Sequence, residues 1–196
     1  MEKFTKVKKE QEKNVQLNDN SVVYKGDHIS VIKKEDYEYI VEKDKISCLI
    51  YVKDEGYLIM RSEPVTPWQD KYKNNINKLS GLFLTVVSGT IEQGETPAAC
   101  LRRELYEEAG IVMSEFYQFE IEGPFFSNKG NTSQVYTCLM ELSYNDFRLV
   151  AAPGDGSKTE KLSRTLKISL GDLDEIKVND MITQYLFTKL KKEYNV

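Results

Sequence analysis

Residues Ser88 to Ile111 read Ser-Gly-Thr-Ile-Glu-Gln-Gly-Glu-Thr-Pro-Ala-Ala-Cys-Leu-Arg-Arg-Glu-Leu-Tyr-Glu-Glu-Ala-Gly-Ile. The stretch carries its own punctuation for a helix over Thr96 to Ala109. Thr96 suits the N-cap, Pro97 the first helical position, and Gly110 the position just past the end. At ~100° per residue, Ala98, Leu101, Leu105 and Ala109 form one apolar stripe, and Glu104, Glu107 and Glu108 lie together beside it. That acidic grouping is costly. Glu104 repels Glu108 four positions on and Glu107 three on, and two of the three sit near the helix end that disfavours anions. A hard divalent cation with oxygen ligands would resolve the conflict, and Arg103, four residues before Glu107, would neutralise part of it. A solvated acidic face is the plainer alternative for three glutamates taken alone.

Composition narrows the chemistry. The 196 residues hold 27 Lys+Arg against 31 Asp+Glu, a formal net charge of −4, and 40% apolar side chains, enough for a core. The lone His28 would have to serve any histidine-based triad, and a Cys₂His₂ zinc site is excluded. Cys48, Cys100 and Cys138 cannot all pair and form no CxxC, so a reduced, cytoplasmic chain is expected. No run of 18 apolar residues and no apolar leader segment occur, so no membrane association is expected. The mildly negative balance does not favour nucleic acid as a partner. Carboxylates, hydroxyls, cations or metal ions must carry the reaction.

Outward from the central stretch, residues 1–20 read as a charged tail, 21–45 as a β-rich segment, and 46–196 as the main domain. Strands are expected at Val22–Tyr24, His28–Lys33 and Tyr37–Val41. Ile46–Val52 is apolar enough to be covered on both faces, and Asp54-Glu55-Gly56 turns it into a return strand at Tyr57–Met60. Gly81–Val87 reads as one strand, and Phe116–Ile121, Gln134–Leu142 and Leu162–Leu170 as others. An amphipathic helix over Ile182–Lys192 would close the chain. Ser62–Ser80, with Pro64, Pro67 and Trp68, is longer than a plain turn needs.

The spacing Gly89–x5–Glu95–x7–Arg103-Glu104-Leu105–x–Glu107-Glu108–x–Gly110-Ile111 satisfies every defined position of the signature G-x5-E-x7-R-E-U-x-E-E-x-G-U, with U aliphatic. The sequence therefore resembles the Nudix hydrolases. That resemblance implies an α/β fold, an α/β/α sandwich with a mixed β-sheet, to which the extra N-terminal β-rich segment is added. It implies hydrolysis of a nucleoside diphosphate linked to another moiety, with Mg²⁺, or Mn²⁺ as its substitute. It makes Glu104, Glu107 and Glu108 the metal-binding carboxylates, with the backbone at Ser88 and Gly89 beside the ion. Glu95 and Arg103 would hold the glutamates in place, and Gly94 would allow the turn into the helix. A general base comes either from the box or from a late loop, where Glu160 is the candidate.

The strands from Val22 to Met60 look like the extra N-terminal region of the ADP-ribose and nucleotide-sugar pyrophosphatase branch, which packs against a second subunit, so a homodimer is expected. Asn128 stands where that branch usually carries proline. Nucleoside triphosphates, dinucleoside polyphosphates, 5′-capped RNA, or nucleotide sensing without catalysis are the other readings. Trp68 could stack on a base, and Arg61 and Lys71 could meet phosphates, although core or dimer packing is the simpler expectation for Trp68, and a solvated surface position for each cation.

Overall fold

The computed structural model describes residues 20–64, 82–154, 156, 160–178 and 180–195. Trp68, Lys71 and the side chain of Glu160 therefore lie outside the described residues. Contacts divide the chain into two compact units. The first gathers the described residues up to Glu42 with Asn128–Thr132, and the second comprises Lys43–Ser127 and Ser133–Val196.

The first unit is an antiparallel sheet of three short strands, β1 (Asn20–Lys25), β2 (Ile29–Lys34) and β3 (Tyr37–Glu42), in the order β1-β2-β3. A bulge between Val22 and Tyr24 shifts the β1–β2 register. Segment Asn128–Thr132 attaches to β3, with the Ile40 N–H donating to the Gly130 carbonyl at 2.8 Å and the Thr132 N–H to the Ile40 carbonyl at 2.9 Å. Val22, Val23, Tyr24 and Tyr37 remain exposed, so this sheet buries little of its own apolar surface.

The second unit is built on β4 (Lys45–Val52) and β5 (Tyr57–Pro64), followed by β6 (Leu82–Thr85), β7 (Val87–Thr90), helix α1 (Pro97–Ala109), β8 (Ile111–Met113), β9 (Glu122–Phe126), β10 (Gln134–Leu142), β11 (Phe147–Leu149), β12 (Arg164–Ser169) and helix α2 (Met181–Tyr194). Seven strands make one sheet, with the path β12-β5-β4-β10-β9, β6 on β5 and β7 on β4. The β4–β10 pair is parallel and the others are antiparallel, so the sheet is mixed. β8 and β11 form a separate antiparallel pair.

The side-chain period of two on β4 distributes the core. Ile46, Cys48, Ile50 and Val52 pack with Cys100, Leu101, Leu105 and Ala109 of α1, while Leu49 faces the other way with Leu186, Phe187 and Leu190 of α2. β5 does the same, with Tyr57 and Ile59 on the α1 side and Leu58 and Met60 on the α2 side. One helix on each face of a mixed sheet is the expected α/β/α sandwich, and the N-terminal strands are additional to it.

Three expectations are corrected. The strand expected over Gly81–Val87 is two strands that part at Val86, because β6 ladders with β5 and β7 with β4. The strand expected at Phe116–Ile121 begins only at Glu122. The alternation there is real, since Tyr117, Phe119 and Ile121 pack partly buried on the α1-side core, but among the described residues no neighbouring strand is paired with it. The return strand after the hairpin continues past Met60 to Pro64, carrying Arg61 and Glu63 into the sheet.

Candidate active site

Helix α1 starts as its sequence requires. The Thr96 side chain accepts the Ala99 N–H at 3.2 Å, Pro97 opens the first turn, and Gly110 ends the helix at φ 64°, with its N–H donating to the Leu105 and Tyr106 carbonyls. A Cβ at Gly110 would stand 2.1 Å from the Val150 carbonyl oxygen, so both the backbone conformation and the close approach exclude a side chain there. The apolar stripe fixes the roll of the helix on the sheet, and that roll brings the flanking glutamates to β7.

Arg103 is the hub of the acidic group. Its Nε donates to Glu95 at 3.0 Å and its Nη2 to the other Glu95 oxygen at 3.0 Å, a fork on one carboxylate. Its Nη1 lies between two more, 2.6 Å from Glu104 Oε1 and 3.1 Å from Glu107 Oε2, and Nη2 also reaches the Thr90 carbonyl at 3.1 Å. Glu95 in turn accepts the Glu92 N–H at 3.0 Å, closing the turn before the helix. The Arg103 hydrogen bonds hold the Glu95 carboxyl well below its ordinary value, at about 2. Glu95 reciprocally raises Arg103, which stays charged throughout.

Glu104 is the buried member and Glu108 is half-buried beside it. Burial pushes the Glu104 carboxyl upward, opposed by Arg103. Burial pushes Glu108 up to about 8; the Arg61 charge opposes this, and the Glu63 and Glu104 carboxylates add to it. Glu108 Oε2 accepts the Ser88 N–H at 3.2 Å. Gly89 leaves the space that Glu104 fills, since a Cβ there would stand 2.1 Å from Glu104 Cγ and from Oε1. The glycine thus serves the approach of a carboxylate to the β7 backbone.

Arg61 is not the surface cation expected. It shares the α1-facing side of β5 with Tyr57 and Ile59 and is only 4% exposed. Its Nη1 donates to the Glu108 carbonyl at 2.7 Å, and its Nε is 3.9 Å from Glu108 Oε2. Sequence reasoning missed Glu63 and Thr165. The signal for Arg61 and Glu63 was the continued alternation Tyr57, Ile59, Arg61, Glu63; nothing in the sequence announced Thr165. Glu160 opens a 3₁₀ turn, Glu160–Leu162, leading into β12.

Hard oxygen donors of the kind a divalent cation takes are present in Glu104, Glu107 and Glu108, two of them in surroundings that penalise an uncompensated charge. In this arrangement the positive charge between Glu104 and Glu107 is Arg103, and among the described residues no three acidic, thiol or imidazole groups close on a point that would hold an ion.

The family model for the NUDIX domain matches residues 42–162, more than half of the chain, so the chain belongs to the Nudix family, a family of pyrophosphohydrolases acting on nucleotide-type substrates and generally using a divalent metal. No curated protein matches the sequence. A crystal structure described as that of an ADP compounds hydrolase is similar in fold, with a TM-score of 0.61 at 15% identity, covering 93% of this chain and 97% of that chain. No helix among the described residues is long and apolar enough to cross a membrane.

Proposed function

We propose that the chain is a Mg²⁺-dependent pyrophosphohydrolase, with Mn²⁺ able to substitute, that cleaves a nucleoside diphosphate linked to another moiety, ADP-ribose or a nucleotide sugar. The observation that carries the reading is the convergence of Glu95, Glu104 and Glu107 on Arg103, with the half-buried Glu108 accepting the Ser88 N–H. A binding module has no need for so costly a cluster. In this reading Glu104, Glu107 and Glu108 would hold the metal together with the backbone at Ser88 and Gly89. A metal bound there would supply neutralisation of the diphosphate charge and activation of water near neutral pH.

The chain's own residues do the positioning. Arg103 keeps Glu104 and Glu107 adjacent, and Glu95 orients Arg103 through its fork. The proton of the attacking water goes either to a glutamate of the box or to Glu160, the candidate in the late loop. The fold relative described as an ADP compounds hydrolase guides which compounds come first: ADP-ribose, then nucleotide sugars, with nucleoside triphosphates, dinucleoside polyphosphates and capped RNA as the other arms. Glu107→Gln or Glu108→Gln should lower Mg²⁺-dependent turnover by about 100-fold or more while the melting temperature holds. Full turnover in both variants would remove the box from the mechanism, and a flat response to ADP-ribose and every nucleotide sugar would remove the substrate assignment.

We also propose a cytoplasmic homodimer. Supporting it are the exposed Val22, Val23, Tyr24 and Tyr37 of the three-stranded sheet, together with three buried free cysteines. Light scattering at micromolar concentration should give twice the chain mass, and a monomer would contradict the dimer.

A further inference from the structure

A helix leaves its last carbonyls without partners inside the helix, and those of α1 are served by three different parts of the fold. Gly110 serves Leu105 and Tyr106. The Gly154 N–H serves Glu107 at 3.0 Å. The Glu108 carbonyl receives two side chains, Arg61 Nη1 at 2.7 Å and the Thr165 hydroxyl at 2.9 Å. Arg61 and Thr165 are direct partners across the β5–β12 ladder, and Arg61 Nη1 also lies 3.4 Å from Thr165 Oγ1. Two neighbouring strands thus reach one backbone atom of the helix.

We propose that Arg61 and Thr165 are positioning residues for the hydrolysis, a clamp on the Glu108 carbonyl that fixes the rotation of the last turn of α1 and thereby the place of the Glu107 and Glu108 carboxylates. The proposal rests on the reading of the site above. A carbonyl needs only one donor, and water could supply it. Burying a guanidinium is expensive, and an apolar side chain would fill the space at lower cost. What the clamp adds is aim. Glu108's backbone oxygen and its carboxylate belong to one residue, so fixing the first constrains the second, and the Arg61 Nε lies 3.9 Å from that same carboxylate. The positive charge also sits at the helix end where two anionic side chains oppose the dipole and where the helix has no basic residue of its own. A displacement of about 1 Å in a catalytic group can cost about 100-fold in rate, so a turn free to rotate would lose most of its use.

The test uses the full chain with Thr165→Val, which keeps the shape and deletes the donor, Thr165→Ser, which keeps the donor, and Arg61→Lys, which loses the planar fork. Mn²⁺ binding is measured by electron paramagnetic resonance of the free ion, beside kcat, KM and melting temperature. Thr165→Val should weaken Mn²⁺ about 10-fold and lower kcat by a similar factor, with KM within twofold; Thr165→Ser should restore both, and Arg61→Lys should lose more. The clamp is overturned if Thr165→Val and Arg61→Lys keep Mn²⁺ affinity and kcat within twofold while Glu108→Gln loses both. It is equally overturned if Thr165→Ser and Thr165→Val lose melting temperature and activity alike, the mark of packing alone. A wild-type chain that binds no Mn²⁺ and hydrolyses nothing refutes the reading of the site and the clamp with it, a result distinct from the others.

Discussion

Helices α1 and α2 cover opposite faces of one sheet and are capped alike. Thr96 and Asp180 each accept an N–H three residues on, and Gly110 and Asn195 each end their helix in the left-handed conformation. Their last turns differ. α2 carries Lys191 and Lys192 there, as the helix dipole favours, and α1 carries Glu107 and Glu108 with no basic residue. The repair on α1 comes from Arg61 on β5 and from Arg103. On α2, local preference and packing agree; on α1 they conflict, and partners distant in sequence compensate. A helix that breaks its own rules under such compensation is where a functional face is expected.

The largest expected effect that separates the two faces is at Gly89. Gly89→Ala places a methyl group where the Glu104 carboxyl lies and should lower turnover by about 100-fold or more in steady-state kinetics. Retained turnover would mean that Glu104 need not sit against β7. A smaller, matched pair compares the caps. Thr96→Ala and Asp180→Ala should each cost about 1 kcal/mol in denaturant unfolding. Only Thr96→Ala should also lower kcat per folded molecule, because only α1 carries the acidic group; an equal loss of kcat in both variants would erase the distinction. The smallest effect is electrostatic and belongs to the α2 side. Lys189 first, and then Tyr185, hold the Glu122 carboxyl below its ordinary value, so the contribution is fully present above about pH 4.3 and is lost as pH falls through the lowered folded value. Glu122→Gln should therefore be less stable than wild type at neutral pH, by no more than about 1 kcal/mol for so partly exposed a pair, and the gap should close in thermal melts as the solution is acidified through the lowered value. A gap that persists there would assign the effect to packing.

Much of this was legible in the residues. Thr96, Pro97 and Gly110 marked the ends of α1 because capping is local chemistry. Val22 to Met60 yielded its strands because alternation and turns are local as well. The acidic grouping was legible as a conflict, which is how a site advertises itself in one dimension. What was hidden depends on pairing. Nothing between Leu82 and Thr90 states that the ladder changes partner at Val86. Tyr117, Phe119 and Ile121 alternate like a strand because one side meets the core, yet a strand also needs a neighbour. Charged residues usually lie in solvent, and that rule outweighs in the sequence the inward signal of Arg61's alternation with Tyr57 and Ile59. Thr165 meets Glu108 only because β12 lies beside β5.

The change of partner at Val86 divides the labour of the segment before α1. β4 and β5 ladder only from Ile50 to Val52 against Tyr57 to Ile59, and beyond that they take separate partners. The chain from Leu82 to Thr90 fills this fork, one half on each prong. Register is therefore fixed on two ladders joined by a single residue, Val86, so that neither half can slip without the other. Ser88 and Gly89, the floor of the acidic group, are thereby tied to β4 directly and to β5 through one residue of chain.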